Sequence, residues 1–268
     1  DKVTALVQEI APDRPPEARL IDQLSSDGAA AADILTQRAR MLDQQARRLR
    51  QLARSAQQHK ARQALAKVME QEEEEIDLLH AALLIARIDN EDLDVDDYLR
   101  IVERMAEDVK KSLPDGGDEA ARLKALDRFL FEELGFHGSR TDYYSRSNSY
   151  LNEVVDDREG LPITMAVLYI DLARRIGLNV VGVGLPGHFI VRHEPKKGPS
   201  ELIDVFDRGK RLSRDDAAKV VTDAGREFDE EHLVSQSKQQ ILIRMLRNLF
   251  GIARNAEDPE AMLQYTET

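Results

Sequence analysis

The sequence predicts an α+β fold: a helical body, one small antiparallel sheet, and helical extensions at both ends. Three observations predict it. Apolar residues recur at helical spacing through most of the first 134 residues and again from 239 to 265. Between 179 and 206 the period switches to two, over three short runs. Gly and Pro mark the joints, at Leu113-Pro114-Asp115-Gly116-Gly117 and at Gly177.

The first elements are helices. Val3, Leu6, Val7 and Ile10 predict one short helix and Ala18 to Leu24 a second, separated by Pro15-Pro16. Residues 35 to 75 hold no Gly or Pro and predict one long helix. It is basic at first (Arg38, Arg40, Arg47, Arg48, Arg50, Arg54) and ends in Glu70 and Glu72 to Glu75. Leu35, Leu42 and Leu49 are seven apart, but Ala56 and Gln63 weaken the seam, so a solvated helix with one packed face is expected rather than a coiled coil. Leu78, Leu79, Ala82, Leu83 and Ile85 give a broad apolar face for a buried helix. Tyr98, Ile101, Val102 and Met105 give another, and Asp118 to Leu134 a third, stopped by Gly135. The acidic link Asp89 to Asp97 lacks calcium-loop spacing, and Asn90 or Asp96 is expected to cap a helix there.

Phe136 to Gly160 is polar and rich in donors and acceptors. Pro162 then opens a helix at the position where its missing N–H costs nothing. Arg174 and Arg175 complement the end of that helix, and Gly177 stops it. Strands are expected at Asn179 to Leu185, His188 to His193 and Glu201 to Phe206, with a turn at Asp207-Arg208-Gly209-Lys210. Helices follow at Asp215 to Ala224, Gln239 to Ala253 and from Pro259.

The strands make a geometric argument possible. A hairpin centred near Lys196 sets His188 opposite Asp204, with Cβ atoms about 5 Å apart. Phe189, Val191, Ile203 and Val205 then fall on the other, apolar face. A carboxylate at that distance orients an imidazole, for catalysis or simply for stability. His193 points to the opposite face from His188, which argues against a metal held by that pair.

Residues from about 76 to 250 resemble the SirB1 N-terminal family of transglutaminase-like proteins. The carrying residues are Asn148-Ser149-Tyr150-Leu151-Asn152, Gly160-Leu161-Pro162-Ile163-Thr164, Leu172 to Leu178, Gly182-Val183 and Pro186-Gly187-His188-Phe189. The stretch Gln239 to Tyr265 resembles the start of a tetratricopeptide-like tail. The resemblance implies a papain- or transglutaminase-like core and three segments: a helical extension over 1–70, the family domain over 71–231 and the tail over 232–268. It maps His188 and Asp204 onto a catalytic His and Asp, and Pro162 onto the cysteine nucleophile. Pro162 has no nucleophilic atom, which leaves a vestigial dyad. The first-turn N–H groups of Ile163 and Thr164 then become candidate donors to an anion or carbonyl. Tyr143, Tyr144, Asn152 and Arg158 are candidates to line or brace the same cleft.

Composition narrows the function. The 268 residues contain no cysteine, so disulfides, zinc–thiolate sites and thiol catalysis are absent together. A net charge of -12 disfavours nucleic acid as a ligand. No apolar run approaches the roughly 20 residues of a membrane span. A first residue of Asp1 rather than Met is what a trimmed chain would show, and a cytoplasmic setting is expected. No cofactor or metal is implied. The expected function is a non-catalytic binding or regulatory module that recognises a peptide or small acid in the His188–Asp204 cleft, with protein or peptide partners. A cysteine-free hydrolase using His188 as general base and a scaffold acting through its helical arms are the alternatives.

Overall fold

The computed structural model describes residues 29–113 and 116–268. They fall into two compact units, one ending at Gln57 and one spanning Gln58–Thr268. The two short helices expected before residue 29 lie outside the described residues.

The described part of the first unit is helical, the leading stretch of α1 (Ala29–Met69). Leu42, Leu49 and Leu52 are 45%, 67% and 67% exposed, so the heptad leucines build no core there. The helix ends at Met69 rather than at residue 75. Glutamates at 72 to 75 repel one another at helical spacing, and a turn closed by Glu75 N–H to Glu72 C=O replaces the last helical turn.

In the second unit, Ala61, Leu65 and Val68 of α1 are buried. Two helices form the centre of this unit. Helix α2 (Leu78–Asp89) is apolar on nearly every side, as the broad face predicts, and Asp77 caps it by accepting His80 N–H. Leu79 and Leu83 are fully enclosed, each worth about 1.5–3 kcal/mol of burial. Helix α3 (Val95–Lys111) follows. Its N-cap is Asp94, which accepts from the N–H groups of Asp96 and Asp97, rather than Asp96; Asn90 ends α2. Helix α4 (Glu119–Asp127) passes into a wider turn at Arg128–Glu133, so the expected single helix is in two parts. Helix α5 (Leu151–Asp157), inside the polar segment, was not legible from periodicity.

The second central helix is α6 (Pro162–Arg175), with Pro162 in its first turn as expected. It packs against a five-stranded antiparallel sheet of order β6-β5-β4-β3-β7. The strands are β3 (Val180–Val183), β4 (Ile190–His193), β5 (Glu201–Asp204), β6 (Lys210–Leu212) and β7 (Ser235–Gln236). A separate two-stranded parallel pair, β1 (His137–Gly138) and β2 (Glu159–Gly160), lies just before α6. Helices α7 (Arg214–Asp223), α8 (Lys238–Asn255) and α9 (Pro259–Thr266) complete the chain. Ser213 and Ser237 open α7 and α8 with capping boxes. Asp89 ties α9 to α2: its carboxylate accepts the hydroxyls of Tyr150 and Tyr265, both at 2.5 Å, and the Gln264 amide at 2.7 Å. Burial beside that carboxylate pushes both phenols well above the usual tyrosine range.

The register of the β4–β5 hairpin differs from the expectation by two residues. Val191 faces Ile203 and His193 faces Glu201, so the hairpin is centred at Lys197. A shift of two preserves which side chains share a face. Phe189, Val191, Ile203 and Val205 all enter the core, and His193 joins them at 3% exposure.

Candidate functional site

The site begins with a turn. Pro186 and Gly187 occupy the central positions of a β-turn closed by His188 N–H to Leu185 C=O at 3.2 Å. Gly187 has φ 73°, a left-handed conformation that costs a residue with Cβ about 1–2 kcal/mol. His188 therefore sits in the turn before β4, not on the strand, and is offset from Asp204 rather than directly opposite. The side chain closes the gap: His188 Nε2 lies 2.9 Å from Asp204 Oδ2. The other carboxylate oxygen accepts the N–H groups of Phe206 at 3.0 Å and Asp207 at 3.2 Å. Asp204 is thus locked by the turn it starts, with its second oxygen aimed at the imidazole. A carboxylate on Nε2 places the ring proton there and leaves the Nδ1 lone pair for a ligand or water.

Two more side chains fix the imidazole. The Phe206 ring meets it edge-on, with centroids 5.8 Å apart. Arg244, from the middle of α8, donates through Nη2 to the carbonyls of Leu185 at 2.8 Å and His188 at 2.7 Å. Its guanidinium also lies over the Phe189 ring at 5.2 Å. Burial lowers the Arg244 pKa from the usual arginine value, an effect that Tyr143 opposes. Arg244 was not singled out from sequence, although an arginine between Ile241, Leu242 and Met245 on an apolar face was the available signal.

The predicted site residues separate into two groups. Tyr143 belongs with His188, because its ring packs edge-on against Phe206 and against Tyr144, which is 69% exposed. Burial, with Tyr144 adding to it, raises the Tyr143 pKa. The other group braces the framework. Arg158, at φ 60°, donates to the Leu134 carbonyl at 3.0 Å, and its own carbonyl accepts His137 N–H. Asn152 is 5% exposed and bonds to Glu153 and Asn90.

The start of α6 is closed rather than open to a cleft. Pro162, Ile163 and Thr164 are all buried. The Thr164 hydroxyl lies 2.7 Å from the Asn148 carbonyl and 3.0 Å from that of Leu161. Ile163 and Thr164, whose first-turn groups were expected to face a ligand, are thus buried residues, and the Thr164 hydroxyl is taken by main-chain carbonyls. The helix start still adjoins the site through the main chain. Ser139 N–H donates to Gly160 C=O, and Gly138 N–H donates to Phe206 C=O, so β1 bridges the segment before Pro162 to the residue beside His188. Gly138 is required there, because a Cβ would stand 2.2 Å from the Phe206 ring.

A cavity of about 380 Å³ opens on Phe206 and is walled by Arg140, Arg208 and His137. Arg140 pairs with Asp207 at 2.7 Å. Among the described residues, Arg208 pairs with no carboxylate, and it is held at φ 53°. No group of three or more metal-ligating side chains occurs among the described residues. No helix among them is long and apolar enough to cross a membrane.

The model of the transglutaminase-like superfamily matches residues 96–247, which contain the sheet, α6 and the His188–Asp204 pair. The chain belongs to the transglutaminase-like superfamily. A UPF0162 protein of Xylella fastidiosa strain 9a5c is 34% identical over 190 residues, covering 69% of this chain and 67% of that protein. A UPF0162 protein of Pseudomonas aeruginosa is 29% identical over 169 residues, covering 62% and 61%. Human F-box only protein 21 is 30% identical over 139 residues, which is 49% of this chain but 22% of that protein. No solved structure matches significantly. In this transglutaminase-like domain His188 and Asp204 are hydrogen-bonded, and the 268 residues hold no cysteine.

Proposed function

We propose that the domain is a non-catalytic binding module, a transglutaminase-like pseudoenzyme of the SirB1 type in which Pro162 stands at the nucleophile position. The observation that carries this reading is an ordered His188–Asp204 pair in a chain of 268 residues without cysteine. Acyl transfer through a thioester has no atom to begin from. What remains is a recognition surface: the Nδ1 face of His188, the Tyr143 and Tyr144 rings, and the arginine-walled cavity at Phe206. Arg208, which pairs with no carboxylate among the described residues, suits the carboxylate of a small acid or a peptide, the Nδ1 lone pair of His188 takes a hydrogen-bond donor on the same ligand, and the tyrosine rings form an apolar flank. The match to F-box only protein 21 covers a fifth of that chain, which supports use of this domain as a module within larger proteins.

The test pairs turnover with binding. Wild type and His188→Ala are screened against peptide, amide and ester pools, and acetate, succinate and a short peptide with a free C-terminus are titrated by NMR. No turnover in either protein, with shifts at His188, Tyr143 and Arg208 that an Arg208→Gln variant loses, is the expected result. Turnover that disappears in His188→Ala would overturn the reading in favour of a hydrolase in which His188 activates water and Asp204 holds its tautomer.

A further inference from the structure

A second cavity in the second unit lies on another part of the sheet. Its volume is about 420 Å³, and it is bounded by the segment 73–78, the later half of α6, β3 and the start of α8. Ile76, Leu78, Ile170, Leu178 and Ile241 give it an apolar floor. That size falls within the roughly 300–1,000 Å³ of typical ligand sites.

The cavity runs along an unfinished sheet edge. Glu194 N–H donates to the Asn179 carbonyl at 2.9 Å, just beyond the β3–β4 ladder. In an antiparallel ladder, alternate residues point their N–H and C=O to alternate sides. Val181 and Val183 therefore bond toward β4, while Val180 and Gly182 point to the other edge. Strand β7 occupies that edge opposite Gly182 and Val183 only. After Gln236 the chain leaves the sheet, Ser237 caps α8, and Lys238 N–H goes to Glu73 Oε1 at 2.7 Å. Among the described residues no strand lies opposite Val180 on this edge, and Val180 lines the cavity. Gln236 Oε1, buried and accepting no hydrogen bond among the described residues, lies against Gly184 at the far end of β3 and not at this edge.

The charges at the rim are unequal. Its cations are committed, Lys238 Nζ to the Ile76 carbonyl at 2.7 Å and Arg174 to Asp171 at 2.7 Å. Glu73 and Asp77 are committed as well, to backbone N–H groups. Glu74 and Glu75 line the cavity and pair with no cation among the described residues.

We infer that this edge is a docking groove for an extended segment of a partner protein carrying an apolar side chain flanked by lysine or arginine. The segment pairs its main chain with Val180, sets the apolar side chain among Ile76, Ile170 and Ile241, and places its cation against Glu74 and Glu75. Strand addition supplies affinity through the main chain, and the floor and rim supply selectivity. The groove is independent of the His188 site and stands whether or not that site binds a carboxylate.

The probe is an acetylated, amidated pentapeptide Lys-Val-Ile-Val-Lys, titrated into the full chain by amide NMR. The expected result is saturable shifts at Val180, Val181 and Gly182, with slowed hydrogen exchange at Val180. A peptide N-methylated at its central residues loses at least tenfold in affinity, and so does the Glu74→Lys, Glu75→Lys double variant. Those glutamates are exposed, so the fold tolerates the change. An N-methylated peptide that binds equally well, shifts centred elsewhere, or no shift at millimolar peptide would overturn the proposal. A concentration-dependent dimer that protects Val180 without peptide would also overturn it, by making a second copy the occupant.

Discussion

Asp204 does two jobs that substitution can separate. One oxygen holds the turn through Phe206 and Asp207 N–H, and the other meets His188 Nε2. Asp204→Ala removes all three partners and leaves two amide donors short of water. Hydrogen bonds to a charged group contribute about 1.5–3 kcal/mol each, and the 3.2 Å bond belongs at the weak end. With all three bonds counted at the low end, the expected loss for Asp204→Ala is about 4–5 kcal/mol. Asp204→Asn keeps an acceptor oxygen for the turn and gives up only the charge facing the imidazole, so about 1–1.5 kcal/mol is lost. In a unit of this size each kcal/mol moves Tm by about 2–4 °C, giving drops of roughly 13 °C and 3 °C. The chain has no tryptophan, so urea unfolding is followed by far-ultraviolet circular dichroism. Long-range nitrogen–proton correlations of the imidazole read the tautomer, which moves its proton from Nε2 to Nδ1 in Asp204→Asn. Equal losses in the two variants, or an unchanged tautomer, would refute the division of labour.

Three other outcomes are expected. Gly138→Ala pushes a methyl into Phe206, costs about 1–3 kcal/mol and moves the His188 ring resonances; undisturbed His188 signals would count against β1 as the bridge to the site. Tyr169→Phe deletes a buried hydroxyl that donates to Asp127 Oδ1 at 2.7 Å and costs about 1–2 kcal/mol in urea unfolding; a loss below 0.5 kcal/mol would refute the value placed on that bond. Tyr98 has its pKa pushed up to about 12 by burial and by Asp156. Between pH 10 and 12 the folded chain keeps this proton and the unfolded chain releases it, so stability falls as pH rises; Tyr98→Phe flattens that slope, and an unchanged slope would show that other groups set it.

The sequence made the framework legible where one signal dominated. Pro162 and Gly177 mark joints whose chemistry is local. The face shared by Phe189, Val191, Ile203 and Val205 follows from period two alone. The hairpin register did not follow, because a seven-residue loop leaves two registers of the same parity, and the side-chain reach of His188 absorbed the difference. Helix α5 was hidden because only Leu151 and Val154 mark its face. Arg244 was hidden because its partners are the carbonyls of a turn 59 and 56 residues earlier, a kind of contact that no sequence pattern carries. Long-range main-chain acceptors also explain β1, which exists because Gly138 and Ser139 find Phe206 and Gly160.

Pro162 itself allows a test of how closed the start of α6 is. Its missing N–H costs nothing in the first turn of α6, and the Thr164 hydroxyl, reaching the Asn148 and Leu161 carbonyls, fastens that turn to the polar loop. Asn148 in turn donates from its side-chain amide to the Asp142 carbonyl at 2.6 Å, next to Tyr143. One buried residue thus couples the helix start to the tyrosine that packs on Phe206, and the start of α6 serves as a joint rather than a mouth. Pro162→Cys should therefore place a thiol that is shielded despite lying at a helix N-terminus, where an exposed thiol would have a depressed pKa and react quickly. The substitution costs about 0.4–1 kcal/mol through the freer unfolded chain, so the fold survives. Labelling with a disulfide reagent at pH 7 is expected to be at least a hundredfold slower in the native chain than in 8 M urea. Fast native labelling would mean that the cleft opens onto α6, and it would return the first-turn N–H groups of Ile163 and Thr164 to the binding surface.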